Sequence, residues 1–398
     1  MLYWVSACIW GDYEVGTLLV VIYLAFISLG LPDSLLGAAW PVMRVDLAAP
    51  LSAAGAVSMI VSFGTIVSSL MSSRVIRRFG TGKGTLVSVL MTAFALLGYS
   101  FARSLWWLCL LAVPLGLGAG SVDAALNNFV AMHYRAQHMS WLHCFWGIGA
   151  TAGPIILSAC MLRTGWASGY RVISVLQFAL CAVLAFSMPL WKRGEQPETA
   201  QGEEDVHFVS NREALRLPGM PFALLSFLCY CGVEVTAGLW MPSYLVEMRA
   251  LDTAKAAAWG SCFYGGITIG RALSGFLSMR LEARRMIRIG CAGMLGGALI
   301  LILPLPALFS LFGLLLLGVG CAPIYPSLIH ETPRHFGKRA SQAAMGLQMA
   351  VAYVGSTFVP PLVGAIAGKA TLAVVPAALL LLTLALLGFS EAIERKIR

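Results

Sequence analysis

Charged residues are scarce in this chain of 398 residues. Asp, Glu, Lys and Arg make up 11% of it, whereas apolar residues make up 59%, and the mean hydropathy is +0.82. A soluble domain of this length needs much more polar surface to cover its core. The composition therefore excludes the soluble classes and predicts an integral protein whose partner is the lipid bilayer.

Several motifs with known chemistry are also missing. The sequence contains no GxxxxGK[ST] loop and neither HExxH nor GxSxG, so we expect no enzymatic activity. Its ten cysteines form no CxxC pair, and we predict no metal site and no bound cofactor. The formal charge is +9, but the basic residues fall between apolar runs without interleaved aromatics, so we expect no nucleic-acid partner.

Apolar runs of transmembrane length recur throughout the chain. At about 20 residues per crossing, the pattern predicts about twelve helices. They lie near residues 16–41, 52–73, 85–102, 105–132, 139–162, 170–191, 220–246, 256–279, 287–304, 307–329, 340–367 and 371–390.

A polar segment divides these helices into six and six. We predict an N-terminal six-helix bundle over 1–191, a flexible linker over 192–219 and a C-terminal six-helix bundle over 220–398. Most of the 27 lysines and arginines fall in loops on the side of the two termini. The positive-inside rule then places both termini and the linker in the cytoplasm.

An internal repeat supports this division. GTIVSSLMSSR from Gly64 resembles GRALSGFLSMR from Gly270, and GLGAGSVDAAL from Gly116 resembles GVGCAPIYPSL from Gly318. Chance similarity between small-residue segments is the alternative. A true repeat predicts an all-α membrane fold of two pseudo-symmetric bundles with a binding site between them.

Ionisable residues interrupt several apolar runs. Asp33 follows Gly30 and Pro32 in the first predicted helix, where a kink is expected, and Glu234 occupies the matching place in the seventh. A carboxylate at bilayer depth costs about 2.5 to 3.5 kcal/mol, so residues kept there are expected to be functional. Both acids should face a central cavity.

Short motifs in three places resemble the major facilitator superfamily. The loop SSRVIRRFGTGKG is similar to the basic loop of that family, and Arg74, Arg77 and Arg78 match its cations. The fourth-helix sequence GLGAGSVDAALNNFV and the fifth-helix opening WLHCFWGIGATAGP resemble the fucose permease family of sugar–cation symporters. Asp123 and Asn127 match that family's acid and asparagine.

The resemblance implies a monomeric transporter of a small-molecule substrate in the bacterial inner membrane, with a gating loop at Arg74, Arg77 and Arg78. Asp33 and Asp123 are then the candidates for proton coupling. The candidate substrate-binding residues are Asp33, Asp123, Asn127, His143, Trp146, Glu234, Trp240, Arg271 and Tyr325.

Alternatives remain open for several of these residues. Glu234 and Arg271 are either a structural ion pair or a substrate-facing pair. His143 lies near a helix end, where a histidine at the membrane interface is the alternative to a binding role. Tryptophan and tyrosine are likewise typical of membrane interfaces. Four aromatic residues are expected in the cavity because aromatic faces suit sugar rings: Trp40, Trp146, Trp240 and Tyr325.

Two functions fit this pattern. The first is proton-coupled symport of a sugar or similar polar solute, with a proton, or else sodium, as the coupling ion. The second is proton-antiporting export of drugs or metabolites. In such exporters the fifth helix carries a Gly-Pro pair followed by a Gly-Gly pair. Here no Gly-Gly pair follows Gly153 and Pro154, which favours symport.

Overall fold

The computed structural model describes residues 2–134, 136–194 and 210–397, and every regular element in those ranges is helical. The helices are α1 (Leu2–Asp33), α2 (Leu35–Asp46), α3 (Ala53–Phe79), α4 (Thr81–Tyr99), α5 (Leu105–His133), α6 (Ala136–Met161), α7 (Trp166–Phe186), α8 (Met188–Gly194), α9 (Asn211–Ala214), α10 (Met220–Arg249), α11 (Thr253–Leu277), α12 (Ala283–Ile302), α13 (Ala307–Cys321), α14 (Ile324–Phe336), α15 (Lys338–Lys369) and α16 (Val374–Ile397).

The predicted number of about twelve crossings is confirmed. Eleven stretches in the described part of the chain are long and apolar enough to span a bilayer; α1 with α2 forms one of them, and α13 with α14 another. The twelfth crossing is α11, whose 25 residues suffice in length. Arg271 and several Gly, Ser and Thr residues make α11 less apolar than the others.

The first crossing is interrupted at Ser34, just after the predicted kink at Gly30 and Pro32. Proline has no amide hydrogen, so Pro32 cannot donate to the carbonyl of Ser28 one turn earlier. That carbonyl accepts a hydrogen bond from Nε2 of Gln177 in α7 at 2.6 Å. The break at Pro323 between α13 and α14 was not predicted, because the apolar run there is continuous.

The repeat found in the sequence corresponds to equivalent helix packing in the two bundles. A Cβ on Gly116 would lie 2.1 Å from the carbonyl oxygen of Val61, so α5 touches the backbone of α3. A Cβ on Gly318 would lie 2.0 Å from the carbonyl oxygen of Phe263, which brings α13 onto α11 in the same way. The close approach of backbones at small residues is the usual way of packing transmembrane helices.

We expect Gly116→Ala to destabilise the protein, because the new methyl group must push two backbones apart. Overpacking of this kind costs about 1 to 3 kcal/mol. The matched control is Gly275→Ala, since no atom lies within 4 Å of a Cβ at that helical glycine. Thermal unfolding in detergent should show a lower Tm for Gly116→Ala and an unchanged or higher Tm for Gly275→Ala. Equal Tm values for both variants would contradict this packing.

The two bundles touch on the side of the molecule that carries the loops 47–52, 162–165, 250–252 and 370–373, here called the loop side. Gly37 of α2 lies against Gly238 of α10, where a Cβ on Gly37 would be 2.3 Å from the carbonyl oxygen of Gly238. Nearer the loops, Ser158 Oγ donates to the carbonyl of Ala254 at 2.7 Å. The opposite side, where α8 ends and α9 begins, is called the linker side.

Candidate functional site

Asp33 lies at the break in the first crossing, where α1 ends. Its side chain is exposed although it lies within a transmembrane span. Trp146 Nε1 of α6 donates a hydrogen bond to Asp33 Oδ2 at 2.8 Å. The glycine at 30 makes this contact possible, because a Cβ there would lie 2.1 Å from the carbonyl oxygen of Trp146.

The indole of Trp146 joins groups from both bundles. The guanidinium carbon of Arg271 in α11 lies 5.1 Å from the ring centroid of Trp146. The ring of Tyr264, two turns before Arg271 on α11, meets the same indole edge-on at a centroid distance of 6.3 Å. Asp33 is therefore linked to the C-terminal bundle through a single aromatic ring.

Arg271 also forms an ion pair with Glu234. Its Nη2 lies 3.8 Å from Glu234 Oε1, and the two side chains are 17% and 18% exposed. This spacing is longer than a charge-assisted hydrogen bond. Arg271 Nη1 reaches the backbone carbonyl of His143 at 3.5 Å. The guanidinium is thus held by several weak contacts, which leaves it able to change partner.

His143 contributes its backbone rather than its ring to these contacts. The imidazole meets the buried ring of Phe26 edge-on, at a centroid distance of 6.0 Å. The histidine is partly buried. The imidazole therefore packs against Phe26, whereas the backbone carbonyl of His143 contacts Arg271.

Asp123 and Asn127 lie one turn apart on α5, and both are partly exposed. Asn127 Nδ2 donates to Asp123 Oδ1 at 2.8 Å and to the Asp123 carbonyl at 2.9 Å. Tyr325, the repeat counterpart of Asp123, is also partly exposed, and its hydroxyl donates to Met349 Sδ at 2.9 Å. The amide of Asn127 thus orients the carboxylate of Asp123.

The prediction that Trp240 lines the cavity is wrong. Its side chain has no exposed surface, and its Nε1 donates to the carbonyl of Pro360 within the C-terminal bundle at 2.8 Å. Trp40 is likewise buried, with its indole bound to the Leu51 carbonyl. Both lie near the contact between Gly37 and Gly238, where the bundles are packed together.

The loop arginines are described only in part. Arg78 is exposed, and its guanidinium carbon lies 5.6 Å from the ring centroid of Phe79. The side chains of Arg74 and Arg77 lie outside the described residues.

Tyr264 is a site residue that the sequence analysis missed. Its ring packs on Trp146, and its hydroxyl lies against Gly238, where an added Cβ would be 2.1 Å away. Tyrosines are common in membrane helices, so composition does not single it out. Its spacing of seven residues from Arg271 places both on one helix face, which is the signal that identifies it.

Charge is unbalanced in this central cleft, which we define by Asp33, Asp123, Trp146, Glu234 and Arg271. These five residues include three carboxylates and one guanidinium. A charged carboxylate inside a membrane is costly unless it reaches water or a partner charge. The arrangement places an exposed carboxylate, that of Asp33, against the aromatic ring of Trp146.

Comparison with known proteins identifies the family. The profile of the Major Facilitator Superfamily matches residues 22–360. A glucose/mannose transporter of Bacillus subtilis is 24% identical over 280 residues, which cover 68% of this chain and 69% of the relative. A nitrite extrusion protein of the same organism is 26% identical over 330 residues, covering 80% and 79%.

Solved structures agree on the fold. A bacterial homologue of the human lysosomal transporter Spinster, in an inward-facing and unoccupied conformation, superposes with a TM-score of 0.75 at 12% identity, over 97% of this chain and 98% of that one. The nucleoside transporter NupG gives the same TM-score and identity, over 95% and 99%. The match to a family of transporters confirms the expectation that the chain is not an enzyme. The chain belongs to the Major Facilitator Superfamily and is an integral membrane transporter.

Proposed function

We propose that this chain is a proton-coupled symporter of a sugar or similar small polar solute. The observation that carries the proposal is the exposed carboxylate of Asp33, which is bound to Trp146 between the two bundles. An acid at this place can bind a proton and sense the solute at the same time. The similarity to a glucose/mannose transporter supports a sugar as the solute.

Proton binding and solute binding are coupled through charge. Protonation of Asp33 removes a negative charge that opposes closure of the cleft, since closing it withdraws water from the carboxylate. Asp123, with its oriented carboxylate, is the second candidate carrier. The indole N–H holds Asp33 Oδ2, so a solute hydroxyl can donate to Asp33 Oδ1 while the ring of Trp146 serves as a stacking face.

Alternating access then requires the bundles 1–191 and 220–398 to rock against each other. Contacts on the loop side hold the bundles together, including Arg44 Nη2 with Glu247 Oε1 at 2.5 Å. Access to Asp33 therefore runs from the linker side. With the termini in the cytoplasm, as the positive-inside rule predicts, this is the inward-facing state, and the loop of Arg74, Arg77 and Arg78 lies on the same cytoplasmic side.

A two-step experiment tests the proposal. Purified protein is first screened against a panel of sugars by thermal shift, because a ligand that binds the native state raises Tm. Hits are then tested for uptake into liposomes under an imposed proton gradient, sodium gradient or neither. Accumulation driven by the proton gradient is the expected result. Sodium-driven accumulation would reassign the coupling ion, and the absence of any sugar that binds would reject the sugar assignment.

Export by proton antiport is the second candidate, and Arg271 favours it. A guanidinium held only at 3.8 Å by Glu234 can bind the carboxylate or another anionic group of a metabolite. The similarity to a nitrite extrusion protein points in the same direction. Adding small organic and inorganic anions to the thermal-shift panel separates the two functions, because an exporter of anions should respond to anions and not to sugars.

We expect the two tryptophans to differ sharply when each is changed to phenylalanine. Trp146→Phe keeps an aromatic face but removes the hydrogen bond that holds Asp33 in position. It should weaken solute binding by about 10- to 100-fold, as the loss of a hydrogen bond to a charged group costs about 1.5 to 3 kcal/mol. Trp240→Phe should lower Tm and leave solute affinity unchanged, because Trp240 is bound to Pro360 within one bundle. Titration of each variant by thermal shift measures both quantities. An affinity loss in Trp240→Phe but not in Trp146→Phe would reverse the assignment.

A further inference from the structure

We propose that Glu331, His335 and Glu394 form a binding site for one divalent transition-metal ion, with Zn²⁺ as the probe. The three side chains lie at the linker side of the C-terminal bundle, away from the central cleft. Glu331 and His335 are one turn apart on α14, and Glu394 comes from the last turns of α16. The spacing of the ten cysteines predicted no metal site, and the segment HETPRH carries no motif that would have indicated one.

The ligand atoms already have the spacing of a metal centre. His335 Nε2 lies 2.8 Å from Glu394 Oε1 and 3.6 Å from Glu331 Oε2. One ligand atom from each residue lies within 4.8 Å of the other two. Zinc bonds to nitrogen and oxygen are about 2.0 to 2.2 Å long, so tetrahedral ligands sit about 3.3 to 3.6 Å apart. Small side-chain rotations bring these three atoms to that separation.

The three side chains are largely buried and so have little contact with water, which favours a bound metal ion as their partner. Glu331 is 5% exposed, and the side chains of His335 and Glu394 are each 13% exposed. Two carboxylates this close together repel each other unless a cation lies between them. A proton on His335 supplies one positive charge, whereas a divalent ion supplies two and binds all three ligands at once.

Space for a further ligand lies beside the three residues. A cavity of about 20 Å³ is lined by Glu331, His335, Gln348 and Glu394, among others. This volume is sufficient for about one water molecule. Gln348 is 2% exposed, and its Oε1 accepts a hydrogen bond from Thr332 at 2.9 Å. A water in the cavity can complete the fourth position of the metal.

The neighbouring arginines are compatible with this site. Arg284 Nη1 lies 3.8 Å from Glu394 Oε2, the oxygen that does not contact His335, so it can orient the carboxylate without displacing the ion. Arg334 lies 3.0 Å from Glu331 Oε2, but its side chain is 63% exposed. The Glu331 side chain is 7% exposed, so it is the arginine that can turn out into solvent and leave this oxygen to a metal.

Metal binding would join α14 to α16 within one bundle. It should therefore stabilise the protein without depending on transport or on the solute. Failure of this inference leaves the proposed symport function untouched, since no residue of the central cleft takes part.

The test uses the full-length, tag-free protein in detergent. We expect calorimetric titration with Zn²⁺ to give one site per chain and a rise in Tm, and Co²⁺ to give the visible absorption of a tetrahedral complex. His335→Gln and Glu394→Gln should each weaken Zn²⁺ binding by more than about 100-fold, since losing an outer-shell partner alone costs about 10- to 100-fold. Two variants are used so that a folding defect in one leaves the other informative.

The matched control is His330→Gln, which changes a histidine on the same helix whose side chain is 83% exposed. It should bind Zn²⁺ like the parent. The proposal is overturned if the parent protein binds no Zn²⁺, if both site variants bind it unchanged, or if the His330 variant loses it. The cluster is then an ion-pair network.

Discussion

Asp33→Asn is expected to abolish uphill accumulation of the solute while leaving a folded protein that still exchanges solute across the membrane. An amide resembles the protonated acid and can still accept the hydrogen bond from Trp146, but it cannot release a proton. The substitution therefore breaks the link between the proton gradient and solute movement without removing the site. Uptake by liposomes with and without a proton gradient, together with counterflow exchange, measures the two activities separately. Asp123→Asn should behave in the same way if Asp123 shares the coupling.

The chain offers a matched control in Asp46→Asn. Asp46 Oδ2 accepts a hydrogen bond from Trp166 Nε1 at 2.7 Å, the same kind of contact as that between Asp33 and Trp146, but near the loop side. The Asp46 variant should keep its uphill accumulation. If Asp33→Asn and Asp123→Asn both accumulate solute like the parent, neither acid carries the coupling ion. If Asp46→Asn lost uphill accumulation to the same extent, the loss in Asp33→Asn would reflect a general disturbance of the structure and not the loss of a coupling acid.

Arg271→Ala is expected to reduce solute binding. It should also reduce stability more than the double variant Arg271→Ala with Glu234→Gln does. Removing one partner of a fully buried ion pair costs about 3 to 5 kcal/mol. The cost here should be a fraction of that, because both side chains keep some contact with solvent. Neutralising Glu234 removes the uncompensated charge and should restore much of the Tm. Thermal unfolding of all four proteins in a double-mutant cycle gives the coupling energy.

Transport by the double variant separates a structural pair from a substrate-facing one. Recovered stability without recovered transport means that Arg271 or Glu234 also contacts the solute. The control cycle is Arg44→Ala with Glu247→Gln, an ion pair whose side chains are 29% and 36% exposed, where the coupling energy should be below about 1 kcal/mol. Additive losses of stability at Arg271 and Glu234 would show that the two residues are not partners.

The number of crossings and the two-bundle arrangement follow from the sequence itself. Hydropathy is a local property, and a run of about 20 apolar residues has few alternatives to a membrane helix. The repeat also has a local cause, because Gly116 and Gly318 mark equivalent points where helix backbones touch. The positions of Asp33 and Glu234 were predictable for a related reason, since an acid at bilayer depth must reach water, a proton or a partner charge.

Tertiary structure alone decided which aromatic residues belong to the central cleft. Trp146 and Trp240 look alike in the sequence, but only Trp146 binds Asp33, whereas Trp240 is enclosed within its bundle. Hydropathy fixes how deep a residue lies in the membrane and leaves open the rotation of a helix about its axis. The α10 helix, which carries Trp240, has apolar residues on every side and therefore no pattern that points one face inward. The rotation of α10 follows the backbone contact between Gly37 and Gly238. The proximity of Glu394 to Glu331 and His335 likewise depends on tertiary structure, because α14 and α16 are far apart in the chain.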